Sequence, residues 1–163
     1  MKRAVFLDRD GVINNDTGHY YMFRPEHLEI NKSIIPSLKK IADVGFLLVV
    51  ISNQAGIAKG LYAKPDTDAF HDLIRKEYRK HGIEFAEFYY CPHHPDYGRC
   101  LCRKPGSQMI EKALARFEID PGKSYLIGDS ERDVEAGKKA GVMSFRIPTN
   151  GSIDDICHTI LTH

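Results

Sequence analysis

The 163-residue chain has no charge excess of either sign: 23 Lys and Arg stand against 22 Asp and Glu, for a formal charge of +1. That balance, with no basic stripe, removes the electrostatic footprint of a protein that binds nucleic acid or an anionic membrane surface. No apolar run approaches the ~18 residues needed to span a bilayer. The opening stretch from Met1 to Gly11 returns to charge before a secretory hydrophobic region has room to form, so a cytosolic location is expected. Internal repeats, low-complexity tracts and interdomain linkers are also missing. One domain over residues 1–163 is therefore expected, and 42% hydrophobic residues suffice for a core that at this size buries roughly 70% of the extended surface. Cysteine is too scarce for a disulfide scaffold. Of the four, Cys91, Cys100 and Cys102 fall within twelve residues, which in a reducing compartment favours a metal site. Cys157 stands apart and reads as a buried thiol.

What is present is an alternation of two periodicities. Ala4 to Leu7 is a short apolar run ending in acids, and Phe46 to Ile51 is a second that stops at Ser52-Asn53-Gln54. Between them Ile34, Ile35, Leu38, Ile41 and Ala42 recur at helical spacing, with Gly45 as a stop. Ala69, Phe70, Leu73, Ile74 and Tyr78 mark a second helix, and Phe85 to Tyr90 a third strand. Met109, Ile110, Ala113, Leu114 and Phe117 mark another helix, followed by a strand at Tyr125 to Ile127, a helix reaching Gly141 and a closing strand from Val142 to Ile147. This order predicts an α/β, Rossmann-like parallel sheet with helices on both faces, whose ligands bind beyond the carboxyl ends of the strands. Asp8, Ser52, Cys91 and Asp129 each follow such an end, so they should converge on one rim.

Four acids on that rim, Asp8, Asp10, Asp129 and Asp133, repel one another unless a cation joins them. An oxygen-only set suits Mg²⁺, held by Asp8, the Asp10 backbone carbonyl and Asp129. The Asp10 side chain is then free for proton transfer and Asp8 for nucleophilic attack on phosphorus. Taken alone, Asp-x-Asp is more often a turn that caps a helix, and a lysine beside Pro105 is ordinarily a solvated loop charge. In the segment from Cys91 to Cys102, three sulfurs and one imidazole suit a closed Cys₃His zinc site of Cys91, His93, Cys100 and Cys102, with His94 competing for the nitrogen position. A closed set makes that zinc structural, ordering the loop 91–104.

Asp8-Arg9-Asp10-Gly11-Val12, Ser52-Asn53-Gln54, Arg103-Lys104-Pro105 and Gly128-Asp129-Ser130-Glu131-Arg132-Asp133 stand in the order, and at the strand ends, typical of the haloacid dehalogenase-like phosphatase superfamily, which the chain resembles over Met1 to Ile147. The resemblance implies that Asp8 is the phosphoryl-accepting nucleophile and Asp10 the acid/base. It further implies that Ser52 and Asn53 orient phosphate, Lys104 neutralises nucleophile and phosphate, Asp129 binds Mg²⁺, and Asp133 supports the site from behind. The Cys-Pro-His-His-Pro loop and the stretch from Ser52 to Gly60 narrow it to the heptose bisphosphate phosphatases, with histidinol-phosphate phosphatases as close relatives. The implied substrate is a small sugar bisphosphate whose product enters nucleotide-activated heptose synthesis; a monomer is expected, although nothing in the sequence decides the oligomeric state. No insertion follows Asp10 or the second strand to form a separate cap domain, so the zinc loop and the segments His19 to Arg24 and Gly56 to Tyr62 must shape the pocket. Arg103, next to Lys104, should face a second anionic group at the far end of the substrate. Two residues depart from the common pattern: Ser130 stands where many heptose enzymes carry Lys, and Ser52 where Thr is frequent.

Overall fold

The computed structural model describes residues 1–163. Its elements run β1 (Arg3–Leu7), α1 (Ile35–Asp43), β2 (Phe46–Asn53), α2 (Lys64–Arg79), β3 (Glu87–Cys91), α3 (Gln108–Phe117), β4 (Tyr125–Gly128), α4 (Glu131–Lys139), β5 (Met143–Arg146) and α5 (Asp154–Thr162). The strands form one parallel sheet in the order β3-β2-β1-β4-β5.

The near-continuous apolar strands are explained by helices on both faces. Side chains alternate across β1 and β2, so Val5, Leu7, Leu48 and Val50 join one core with Leu38 and Ile41 of α1, Phe70 and Ile74 of α2, and Ile160 of α5. Ala4, Phe6, Val49 and Ile51 face the other side, against Met109, Ile110 and Ala113 of α3 and Ala136 of α4. Complete burial of Phe6, Leu7, Leu48 and Ile51 stabilises the fold by about 2 kcal/mol per side chain.

The sequence places the strands and four helices within a few residues. Two differences matter. β3 runs Glu87–Cys91 rather than Phe85 to Tyr90, so Cys91 is its last residue and is anchored in the sheet. α5 carries no prediction, although Ile153, Ile156, Cys157 and Ile160 recur at helical spacing. It packs on α1, where Ser37 donates to the Asp154 carboxylate at 2.7 Å and the buried Cys157 thiol faces the Ser37 carbonyl at 3.6 Å. No helix is long and apolar enough to cross a membrane.

Chain order reverses at β1, which has β2 on one side and β4 on the other; this is the switch point where parallel sheets open a crevice. Leu7 pairs with Ile127, so Asp8 and Asp129 leave the sheet side by side.

Candidate active site

Lys104 is the hub of the crevice. Its ammonium donates to Asp8 Oδ1 at 2.8 Å, Asp133 Oδ1 at 2.6 Å and the Ile51 carbonyl at 3.0 Å, which uses all three of its protons in a position 3% exposed. Asn53 fixes the same residue from its backbone: its side-chain oxygen accepts from Lys104 N at 3.0 Å, and its amide donates to the Lys104 carbonyl at 3.2 Å. The Asn53 carboxamide, expected from sequence to orient phosphate, thus holds Lys104 in place as well as lining the cavity.

Asp8, Asp129 and Asp133 bring carboxylate oxygens within 4.8 Å of one another. Asp133 has both oxygens engaged, Oδ1 by Lys104 and Oδ2 by the backbone and hydroxyl of Ser130 at 3.2 and 2.9 Å. Ser130 therefore caps α4 and anchors Asp133. Asp129 accepts from the Thr149 hydroxyl at 3.0 Å through Oδ2. Two glycines make the approach possible. A Cβ on Gly11, which has φ +85°, would lie 2.2 Å from Asp129 Oδ2, and one on Gly128 would lie 2.3 Å from the Asp133 Cβ.

Burial raises the Asp8 carboxyl well above its usual range; Lys104 opposes this, and Asp133 and Asp129 add to it. Burial alone would lower the Lys104 ammonium, but Asp8 and Asp133 outweigh it and raise it. For Asp133 burial acts upward, and Lys104 prevails to hold it below its usual range. With every acid ionised, three carboxylates and one ammonium carry a charge of −2. That excess, on an all-oxygen donor set, fits a divalent cation such as Mg²⁺.

Asp10 stands apart from this cluster and is held by nitrogen donors. Arg9 grips both of its oxygens, Nε to Oδ1 at 2.9 Å and Nη2 to Oδ2 at 3.0 Å; Asn14 adds a bond to Oδ1 at 3.0 Å and Gln54 one to Oδ2 at 3.3 Å. Gln54 also donates to Ser52 Oγ at 2.7 Å and accepts from Tyr62 at 2.6 Å. Sequence reasoning gave no role to Arg9, Asn14, Gln54 or Thr149, and named Tyr62 only as the end of a pocket-shaping segment. Only Arg9, set between two acids, carried a visible signal.

Asp8, Asp10, Ser52 and Lys104 line one cavity of about 220 Å³, whose wall also includes Lys59, His94, Arg103 and Arg132. Tyr20 and Tyr21 come from the segment His19 to Arg24 and Lys59 from the segment Gly56 to Tyr62, both expected to shape the pocket, and Ala55 lines it just ahead of the second. Arg103 is partly buried, with Nη1 3.5 Å from the His93 carbonyl.

The four expected zinc ligands come together beside this wall. Cys91 Sγ lies 3.7 Å from Cys100 Sγ and 3.4 Å from His93 Nδ1, and Cys102 Sγ lies 3.1 Å from His93 Nδ1. A tetrahedron with metal–sulfur bonds of about 2.3 Å has sulfur–sulfur edges near 3.7 Å, so the donor set fits zinc. Cys91 and Cys102, at 2.9 Å, are closer than that edge and well beyond a disulfide bond. His94 instead accepts from the Asp96 amide through Nδ1 at 3.1 Å, so the competing nitrogen is turned to a local turn.

The family described as HAD-hydrolase-like matches residues 101–155. The chain is 38% identical to the D-glycero-α-D-manno-heptose-1,7-bisphosphate 7-phosphatase of Photorhabdus laumondii, over 86% of this chain and 79% of that protein. The chain belongs to the heptose bisphosphate phosphatase family. A second member, the D-glycero-β-D-manno-heptose-1,7-bisphosphate 7-phosphatase of Haemophilus ducreyi, is 36% identical over 86% of this chain and 80% of its own length. The crystal structure of D,D-heptose 1,7-bisphosphate phosphatase from B. bronchiseptica, complexed with magnesium and phosphate, superposes with a TM-score of 0.85 at 26% identity, covering 99% of both chains. The five-stranded sheet is thus the fold of this family, and the two relatives named above differ in the anomer of their substrate.

Proposed function

We propose that the chain is a Mg²⁺-dependent phosphatase that removes the 7-phosphate of D-glycero-D-manno-heptose 1,7-bisphosphate, with residues 1–163 working as one unit and no separate cap. The observation that carries the substrate is the match to relatives of that name over 79% and 80% of their lengths. The chemistry is argued from the residues. Asp8 Oδ1 is held by Lys104 and by the Arg9 amide at 2.9 Å, which leaves Oδ2 to attack phosphorus. The bond from phosphorus to the sugar oxygen breaks as the bond to Oδ2 forms, and Asp10 gives its proton to the departing oxygen. Asp10, now a carboxylate, takes a proton from the water that attacks the aspartyl-phosphate, and phosphate leaves as Asp8 is regenerated. Its longest contact, to Gln54 at 3.3 Å, is the one that yields when Oδ2 is protonated.

An anionic nucleophile reaches an anionic phosphate only against fixed positive charge, and Lys104 supplies part of it. Mg²⁺, held by Asp8, the Asp10 carbonyl and Asp129, supplies the remainder when bound. Ser52 and Asn53 orient the transferring group, Asp133 holds Lys104, and Arg103 faces the distal phosphate. Zinc on Cys91, His93, Cys100 and Cys102 is structural and orders the segment that carries Arg103 and Lys104.

Phosphate release from both heptose 1,7-bisphosphate anomers, fructose 1,6-bisphosphate and histidinol phosphate tests the assignment. A heptose substrate should give the highest kcat/KM, and Asp8→Asn should be inert toward all four. A preference for histidinol phosphate would overturn the heptose assignment, and turnover by a folded Asp8→Asn protein would overturn the nucleophile.

A further inference from the structure

We propose that His71, on α2 and outside the cavity wall, is a positioning residue for Asp10 and acts through Arg9. The inference rests on the phosphatase reading, because it concerns the acid/base of that reaction. Arg9 is 0% exposed, so each direction of its guanidinium must find an acceptor inside the protein. Two of its bonds form the fork on Asp10. A third runs from Nη2 to the Met22 carbonyl at 2.7 Å, and Nη1 lies 3.2 Å from His71 Nε2. Arginine offers donors alone, so Nε2 is the acceptor and the imidazole is neutral with its proton on Nδ1.

The imidazole is itself fixed. It is 4% exposed, stacks on Phe88 at 4.6 Å and meets the edge of Tyr90 at 5.5 Å, while the Phe70 ring lies 4.8 Å from the Arg9 guanidinium carbon. The chain of contact therefore runs from the β3 aromatics through His71 and Arg9 to the carboxylate of Asp10. Without the Nε2 acceptor, a buried N–H of Arg9 loses its partner, at a penalty that turns the planar fork toward other acceptors. Asp10, bound to that fork through both oxygens, turns with it, and displacement of a reacting group by about 1 Å can cost on the order of 10²-fold in rate.

Three variants separate positioning from packing. Glutamine at 71 can place its amide oxygen where Nε2 sits; asparagine, equally polar, stops near Nδ1; leucine fills the space without an acceptor. Steady-state kcat/KM is measured for each with a primary alkyl phosphate, whose alkoxide leaving group needs a proton, and with 4-nitrophenyl phosphate, whose leaving group does not. This parameter excludes later hydrolysis of the aspartyl-phosphate and so isolates the donation step. His71→Asn and His71→Leu should lose about 10- to 100-fold on the alkyl ester, within the range known for general acids, and less than about 3-fold on the aryl ester. His71→Gln should recover the alkyl ester to within about 3-fold of wild type. Equal losses on the two esters, an undiminished alkyl rate in His71→Asn, or a His71→Gln protein as impaired as His71→Asn would each overturn the proposal. A wild type inert toward both esters and toward heptose 1,7-bisphosphate would overturn the phosphatase reading and this proposal with it. Losses confined to the alkyl ester in His71→Asn and His71→Leu, in a protein whose wild type shows no heptose preference, would support the relay and overturn the substrate alone.

Discussion

Lowering the pH should destabilise this fold through His71 in a way that one substitution removes. Burial, followed by the positive charges of Arg9 and Arg75, lowers the imidazole from its ordinary 6.5 to about 2. The folded state therefore keeps His71 neutral while the unfolded chain protonates it below pH 6.5. A group depressed in the fold contributes stability that is complete above its unfolded value and is lost as pH falls, at about 1.4 kcal/mol per pH unit. Between pH 7.5 and 5.0 only the last 1.5 units count, so the loss is about 2 kcal/mol. Other acids and the remaining histidines also titrate, so the quantity to measure is the difference between wild type and His71→Gln across that interval. With a urea dependence of about 2 kcal/mol per molar for a small protein, the wild-type midpoint should fall about 1 M further than the variant's. Parallel midpoints over pH 7.5 to 5.0 would show that His71 is not held neutral and would refute the reasoning.

Replacing Lys104 with Met should abolish turnover and, by leaving Asp8 and Asp133 facing each other without their shared cation, destabilise the metal-free protein by about 3–5 kcal/mol; chemical denaturation and a phosphate-release assay measure the two effects. Cys100→Ser should lower zinc from about one ion per chain to near zero and loosen residues 91–104 while the sheet persists, as read by metal analysis and by amide exchange; full zinc content in that variant would remove Cys100 from the ligand set. Arg103→Ala should lower kcat/KM about 10- to 100-fold for the bisphosphate, the scale of one charge-assisted contact, and much less for a monophosphate without the distal group. Equal losses on the two substrates would reassign Arg103 to the transferred phosphate or to the loop.

Asp8, Ser52, Asn53, Cys91 and Asp129, all legible in the sequence, share one property: the backbone alone decides where they go. Asp8 leaves β1, Ser52 and Asn53 close β2, Cys91 closes β3 and Asp129 leaves β4. Parallel register then brings these ends together whatever the side chains do. Periodicity reveals the strands, and the strand ends reveal the site. The proposed zinc ligands were legible for a related reason, because their clustering within one loop makes proximity a matter of chain length. α5 was within reach of the same periodicity but follows the last strand, beyond the stretch whose motifs direct attention.

The residues that hold the site are a different kind of information. Thr149 reaches Asp129 from a loop beyond β5, Asn14 reaches Asp10 from the turn after β1, and His71 reaches Arg9 across 62 positions of sequence. None is marked by spacing. His71 sits between Phe70 and Ile74 on a buried helix face, where pattern alone assigns it to the core. Arg9 likewise reads as a surface charge until its complete burial is seen, because sequence gives no measure of how many acceptors surround a guanidinium. The reacting groups are placed by sheet register, which a one-dimensional pattern encodes. Their orientation is set by side-chain packing between helix, loop and strand, and the choice of partner there depends on which elements the fold brings into contact.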